Sequence, residues 1–296
     1  LERLGCDGIE GVWGGEDLPK DLPAELILGY HLIFYPDWLD FYRDDRAALK
    51  QKFGSLEVTA SFYGGLGPDT LLEQYRADLR RAVNLGARYV VFHVSDVSLE
   101  EGYTYRWLHT NQEVIDAAVE VVNLILGEER WPFEFLVENQ WWPGFTFTEP
   151  EETARLLEGI RFAGKGILLD TGHLMNACTE LKTEAEGADY IRRMLNRHGS
   201  LAKWVRGVHL HQSLSGAYVK AHTGSLPAGL PEDYMERFGV SYQHILQIDQ
   251  HRPWTDPAIL SVLEQIEPRY LTHELSSRGR MARAEAVSVQ TRLLQQ

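Results

Sequence analysis

Gly166-Ile167-Leu168-Leu169-Asp170-Thr171-Gly172-His173 decides how this chain is read. Ile167 to Leu169 form a short apolar run of the kind that makes a strand. Asp170 ends that run, and the turn eased by Gly172 lets His173 fold back toward the same end. Two side chains of metal-binding type therefore meet at the carboxyl end of one strand, and the neighbouring apolar runs repeat the pattern.

Strand-like runs are expected at Cys6 to Trp13, Leu26 to Ile33, Tyr89 to Val94, Phe133 to Glu138, Gly166 to Asp170, Trp204 to His211 and Tyr270 to Glu274. Helix signals separate them. Leu71, Leu72, Tyr75, Leu79, Ala82 and Val83 recur at helical spacing after Pro68 and stop at Gly86. Thr110 with Glu113 and Thr148 with Glu151 read as capping boxes, and Asp256-Pro257 as the start of a helix through Ile266. Alternating strands and helices predict a parallel α/β barrel of the TIM type, one domain over residues 1–296. Leu1 to Gly5 has the look of a helix tail, so the first barrel strand is expected upstream of the sequence. Leu56 to Phe62 alternates and is the rival for the missing strand; a loop or hairpin over the barrel mouth is the preferred reading. It lies in the long connection from Tyr35 to Pro68. A second long connection, Gln212 to Thr255, suits a lid or binding loop.

In such a barrel the carboxyl ends of all strands converge on one mouth. Nine residues stand at or just past those ends: His31, His93, Glu138, Asp170, His173, His209, Asp249, His251 and Glu274. The ordinary role of a lone histidine after an apolar run is packing, yet a carboxylate at a buried strand end, as at Glu138, is costly without a partner. Histidine nitrogen mixed with carboxylate oxygen suits zinc, or manganese, better than calcium or magnesium. His109, His198, His222 and His244 fall in helical or loop stretches, and His273 should point away from Glu274.

Composition narrows the partners. The net charge is −14 with 24% charged residues, which disfavours binding carried by neutralising a nucleic-acid backbone. The two cysteines, Cys6 and Cys178, have no CxxC spacing, and no run approaches the length of a membrane span, so a soluble, cytoplasmic protein is expected.

VVFHVSD (90–96), FLVENQ (135–140), LLDTGHL (168–174), VRGVHLHQS (205–213), IDQH (248–251) and LTHELSS (271–277) resemble, in order and spacing, the metal-binding strand ends of the xylose isomerase-like TIM barrels, particularly the endonuclease IV branch. The resemblance covers nearly the whole chain and implies a three-metal cluster; two or three bound divalent ions are expected. By it, His31, His93 and Glu138 hold the first ion. Glu138, bridging, joins Asp170, His209 and Glu274 around the second, and His173, Asp249 and His251 hold the third. The superfamily's sugar epimerases imply a smaller set, Glu138, Asp170, His209 and Glu274, whose two glutamates also move protons. The chain departs from endonuclease IV at His211 and Gln212, and its longer loop leaves Lys220 and His222 as a rival to Asp249 and His251.

The expected function is metal-dependent hydrolysis of a small phosphoester by metal-activated water, with Glu138 and Glu274 catalytic. The alternatives are a sugar or sugar-phosphate isomerase or epimerase, and a non-catalytic metal- or sugar-binding barrel. Trp141, Trp142, His211 and Arg278 are the candidate substrate contacts. The expected partner is a small phosphorylated or sugar-like molecule, not duplex nucleic acid and not a membrane.

Overall fold

The computed structural model describes residues 1–12 and 23–296. Seven parallel strands, β1 (Ile9–Val12), β2 (Ile27–His31), β3 (Tyr89–His93), β4 (Glu134–Glu138), β5 (Lys165–Asp170), β6 (Val205–His209) and β7 (Tyr270–Thr272), pair in chain order. Each expected run coincides with a strand, β5 starting one residue before its run at Lys165; Trp13, the end of the first run, lies outside the described residues. Sequential parallel pairing requires crossovers through outer helices. In the first half these are α1 (Leu39–Tyr42), α2 (Arg46–Phe53), α3 (Leu56–Tyr63), α4 (Pro68–Asn84), α5 (Leu99–Thr104) and α6 (Asn111–Leu126). The second half has α7 (Pro150–Gly159), α8 (Thr171–Asn176), α9 (Glu184–His198), α10 (Gly216–His222), α11 (Tyr234–Ile248), α12 (Ala258–Ile266) and α13 (Arg280–Leu294).

The sheet curls into a nearly closed barrel. Among the described residues β1 and β7 are its two ends, and side chains link them. Tyr89 Oη donates to Glu10 Oε2 (2.7 Å), as does Thr272 Oγ1 (3.2 Å). Alternation divides each strand between two cores. Tyr89, Val91, Leu136 and Leu168 fill the barrel with Tyr270 packed on them, while Val90, Phe92, Phe135, Val137, Ile167 and Leu169 meet the helices. Gly29 is needed here, because a Cβ would lie 2.2 Å from Tyr89 Cζ. From α4, Leu71, Leu72, Tyr75 and Leu79 are buried at helical spacing, each worth about 1.5–3 kcal/mol. Register then sets the mouth: His93 pairs with Glu138 and Asp170 with His209, all one pleat above the interior layer.

Local signals held unevenly. Thr110 and Glu113 form both halves of a capping box at α6. At α7 the expected box is absent: Pro150 starts the helix behind Glu149, and Thr148 Oγ1 bonds Thr146 Oγ1 instead (2.7 Å). Asp256 Oδ1 accepts from Ala258 N (2.9 Å), so α12 begins one residue late. Leu56 to Phe62 is neither strand nor hairpin. Ser55 Oγ accepts from Val58 N (3.2 Å), Gly64 ends the turn at φ 78°, and the buried pair is Thr59 and Tyr63, four apart, not the alternating set. Leu1 to Gly5 contains a 3₁₀ turn over Glu2–Leu4.

Both long connections are ordered and anchored. Lys52 Nζ of α2 lies 2.7 Å from both Asp37 Oδ1 and Asp40 Oδ2. Asp96 Oδ1, beyond β3, accepts from Trp38 N and Leu39 N (both 2.8 Å), and His109 Nε2 sits 3.2 Å from Asp40 Oδ1. The second connection closes at its neck. Gln212 N donates to Arg252 O (2.8 Å) and Arg252 N to Gln212 O (3.1 Å), with α10 and α11 between them. Among the described residues no helix is long and apolar enough to cross a membrane.

Candidate metal centre

All nine candidate ligands gather at the carboxyl end of the barrel, in three sets whose ligand atoms lie within 4.8 Å of one another. The first is His31, His93 and Glu138; the second Glu138, Asp170, His209 and Glu274; the third His173, His211, Asp249 and His251. Glu138 belongs to two of them. Lys220 and His222 stand apart: Lys220 pairs with Glu180 (2.7 Å), and the His222 ring stacks on Tyr218 (4.1 Å).

Backbone contacts aim the imidazoles. His31 Nδ1 faces Leu32 O (2.8 Å), His251 Nδ1 faces Glu274 O (3.0 Å) and His173 Nδ1 faces Asn139 O (3.1 Å). A carbonyl only accepts, so in His31 and His251 Nδ1 carries the hydrogen and the neutral ring presents an Nε2 lone pair inward, the usual support of a metal-binding histidine; His173 Nδ1 also lies 2.9 Å from Gln140 Nε2. Asn139 ties β4 to β5, donating to Asp170 O (3.1 Å) and accepting from Asp170 N (2.8 Å). Thus the residue after Glu138 fixes the residue that shares its set.

The interior of the cluster lacks hydrogen-bond direction where it is most crowded. Glu138 Oε2 lies 3.0 Å from His93 Nε2 and 3.3 Å from His31 Nε2, and those two nitrogens are 3.0 Å apart, yet Glu138 Oε2 is buried without a hydrogen-bond partner. Glu274 Oε2, Asp249 Oδ1 and His211 Nδ1 are likewise buried and unpartnered. Orphaned lone pairs converging in each set are costly as they stand and are what a cation satisfies. The mixed nitrogen and oxygen donors fit a transition-type divalent ion.

Electrostatics states the same demand. Burial pushes Glu138 up, but the His93 and His209 imidazoles outweigh it and hold its carboxyl well below the usual range. Burial likewise pushes Glu274 up, but His209 and then His251 outweigh it and hold the carboxyl well below its usual range. Against burial, Asp170 and Asp249 raise His173, Glu10 and Glu274 raise His209, and Asp249 raises His251 to about 9. Burial lowers His93 despite Glu138. Without another source of positive charge, imidazolium must supply it.

Glu10 was not among the sequence candidates. Its Oε1 lies 2.9 Å from His209 Nε2, on the far side of the ring from Glu138 and Glu274, and so orients that histidine. The signal was available, since Glu10 is a carboxylate within an apolar strand-like run, although inside it and not at its end as Glu138 is.

Above the ligands opens a cavity of about 920 Å³ whose walls include Phe34, Trp141, Trp142, His244, Tyr242 and Arg283. Trp141 and Trp142 thus stand where substrate contacts were expected, with the Trp141 ring 5.2 Å from that of His173. His211 is wholly buried beneath, its Nε2 2.8 Å from Asp170 Oδ2. Arg278 is exposed and off the cavity wall, which holds Arg283 instead. His273 contacts Gln290 Nε2 (2.7 Å), and His198 stacks on Phe147 (3.9 Å).

Several solved structures superpose on this one. Mannonate dehydratase from Streptococcus suis serotype2 superposes with a TM-score of 0.53 at 14% identity, over 99% of this chain and 87% of that one. A D-tagatose 3-epimerase-like protein gives 0.50 at 15%, over 90% and 76%. Endonuclease IV from Thermus thermophilus gives 0.47 at 16%, over 91% and 90%. No curated protein matches the chain in sequence. The profile of the xylose isomerase-like TIM barrel family matches residues 1–287, and to that family the chain belongs.

Proposed function

We propose that the protein is a metal-dependent hydrolase of a small phosphoester. The observation that carries this reading is the sharing of Glu138 between two ligand sets with a third set beside them. His31, His93 and Glu138 would hold one ion, Glu138, Asp170, His209 and Glu274 a second, and His173, Asp249 and His251 a third, with zinc the ion best suited. Ions so placed supply Lewis acidity to both the attacking and the leaving oxygen of a phosphoester. The chain's own residues do the rest. Glu138 and Glu274 face the reacting centre, where a carboxylate takes or returns a proton. Trp141 and Trp142 wall off water, and Arg283 offers charge to an anionic group at the cavity edge.

The cavity wall carries one arginine and no lysine among the described residues, which suits a small substrate and not the several phosphates of a duplex. A second reading, isomerisation or epimerisation of a sugar, draws on one feature. Glu138 Oε1 (3.3 Å) and Glu274 Oε2 (2.8 Å) converge on His209 Nδ1, so two bases border one set, as proton transfer between adjacent carbons needs. Metal-replete protein incubated with sugar phosphates, simple phosphodiesters, free ketoses and an abasic-site duplex separates these. Phosphate or alcohol release from the small esters is expected. Solvent-deuterium incorporation into a ketose without hydrolysis would install the second reading, and efficient duplex cleavage would overturn the assignment of substrate size.

A further inference from the structure

We infer that the third ligand set is a closed, four-ligand metal site that clamps the neck of the connection from Gln212 to Arg252, with His211 as its fourth ligand. This rests on the multi-ion reading above and adds to it a division of labour among the ions. A divalent zinc-type ion with four protein ligands is structural, whereas three protein ligands leave a position open for chemistry. The first set supplies three side chains; the second supplies four but shares Glu138 with the first, so only the third has four ligands of its own: His173, His211, Asp249 and His251.

Three observations place His211 in that role. Its Nε2 is engaged with Asp170 Oδ2 (2.8 Å), while Nδ1 is buried with no partner. An imidazole that turns one nitrogen to a carboxylate and keeps a buried lone pair on the other is a metal ligand with its usual orienting partner. Space is made for the ring on purpose: a Cβ on Gly172 would lie 2.0 Å from His211 Cε1 and 2.3 Å from Nδ1. The ring also stacks on His251 at 4.1 Å and 11°.

Topology gives the site its task. His211 precedes Gln212 and His251 precedes Arg252, so the two histidines flank the single antiparallel bridge that closes this connection. Asp249 caps the end of α11, and His251 holds a left-handed φ of 46°, a conformation that a non-glycine residue keeps only where its surroundings enforce it. One ion bound from both sides of the neck ties β6 to the end of α11. Phe238, Ser241, Tyr242, His244 and Ile245 of α11 line the cavity. The clamp therefore sets the cavity's roof.

The test replaces bound ions with Co²⁺ and compares wild type with His211→Ala and the milder His211→Asn. Ions per chain, visible absorption and hydrogen exchange over residues 216–248 are measured. In wild type the ion of this set should contribute the intense absorption of four-coordinate cobalt. Both variants should lose that absorption and one ion per chain, keep the remaining ions, and exchange amide hydrogens in α11 about tenfold faster or more. If either variant fails to fold, the wild-type spectrum and the other variant decide. A wild type without four-coordinate absorption, or a folded variant keeping both absorption and ion count, overturns the clamp and leaves the multi-ion reading standing. Fewer than one ion per wild-type chain removes both.

Discussion

Two buried charge clusters lie on the same side of this molecule and are built on opposite principles. Around Lys52, the carboxylates of Asp37, Asp40 and Asp96 meet an ammonium and the His109 imidazole. That cluster carries its own cation. At the barrel mouth Glu10, Glu138, Asp170, Asp249 and Glu274 find no ammonium or guanidinium, only imidazoles; Asp96 Oδ2 and His109 Nε2 lack partners in the first cluster too, but at the mouth every ligand set holds an unpartnered buried atom. A staple needs built-in counter-charge, because an uncompensated buried charge is expensive. A site for ions must keep its deficit of positive charge until they arrive.

Removing ions breaks the comparison most severely. Elemental analysis of protein purified without chelator should find two or three divalent ions per chain, and chelation should abolish turnover. At free ion about a thousandfold above its Kd, binding adds about 4 kcal/mol to folding stability, so the melting temperature should fall on chelation. An unchanged melting temperature would place the positive charge in imidazolium instead.

The next effect is the loss of the shared ligand. Because Glu138 serves two sets, Glu138→Ala should release about two ions and lower activity by a hundredfold or more, whereas His173→Ala should release about one. Equal ion loss from both variants would remove the case for bridging.

Lys52→Met sharpens the contrast from the other side. Taking the ammonium from three buried carboxylates should cost about 3–5 kcal/mol in denaturant unfolding, with no change in ions per chain. A variant that lost metal in proportion would show that the two clusters act as one.

The sequence carried the mouth better than the roof. His93, Glu138, Asp170 and His209 sit on strands, where an apolar run fixes burial and the terminal position fixes direction, so type and place were both legible. Glu10 escaped because it lies inside its run and not at the end, and only the curl of β1 toward β7 brings it under His209. His211 was noticed as a departure from the family's pattern, but its burial depends on the space left by Gly172, which no periodicity encodes. The segment Leu56 to Phe62 misled because its alternation is shared by strand and helix over so few residues; Ser55 and Gly64, a cap and a stop, were the better guide. Similarly, Pro150 as first helical residue overrode the Thr148 box. The Lys52 staple was invisible, since its members come from three separated segments.

The smallest expected effect is one of pH, and it has opposite signs in the two clusters. The Asp40 carboxylate 3.2 Å away, then the nearby Asp96 charge, raise His109 above its ordinary value, with burial opposing. Its contribution to stability is therefore complete below the unfolded value near 6.5 and is lost as pH rises through the folded value. Asp40 is held down to about 2: burial pushes it up, but the His109 imidazole and the Lys52 ammonium prevail. Its contribution is present above the unfolded value of about 3.9 and lost as pH falls toward the folded one. The pair is thus worth most between about pH 4.5 and 6, on the order of 1 kcal/mol for a pair whose imidazole is partly open to solvent. Metal ligands behave the other way, because protons compete with ions and affinity rises with pH through this range. Unfolding free energies of wild type and His109→Gln, measured from pH 4.5 to 9 in chelator, should differ most at the acid end and converge toward alkaline pH. Ions per chain in the metal-replete proteins should meanwhile rise with pH identically in both. A gap that widened with pH would mean that His109 serves as a neutral hydrogen-bond partner, and that Lys52 alone neutralises the staple.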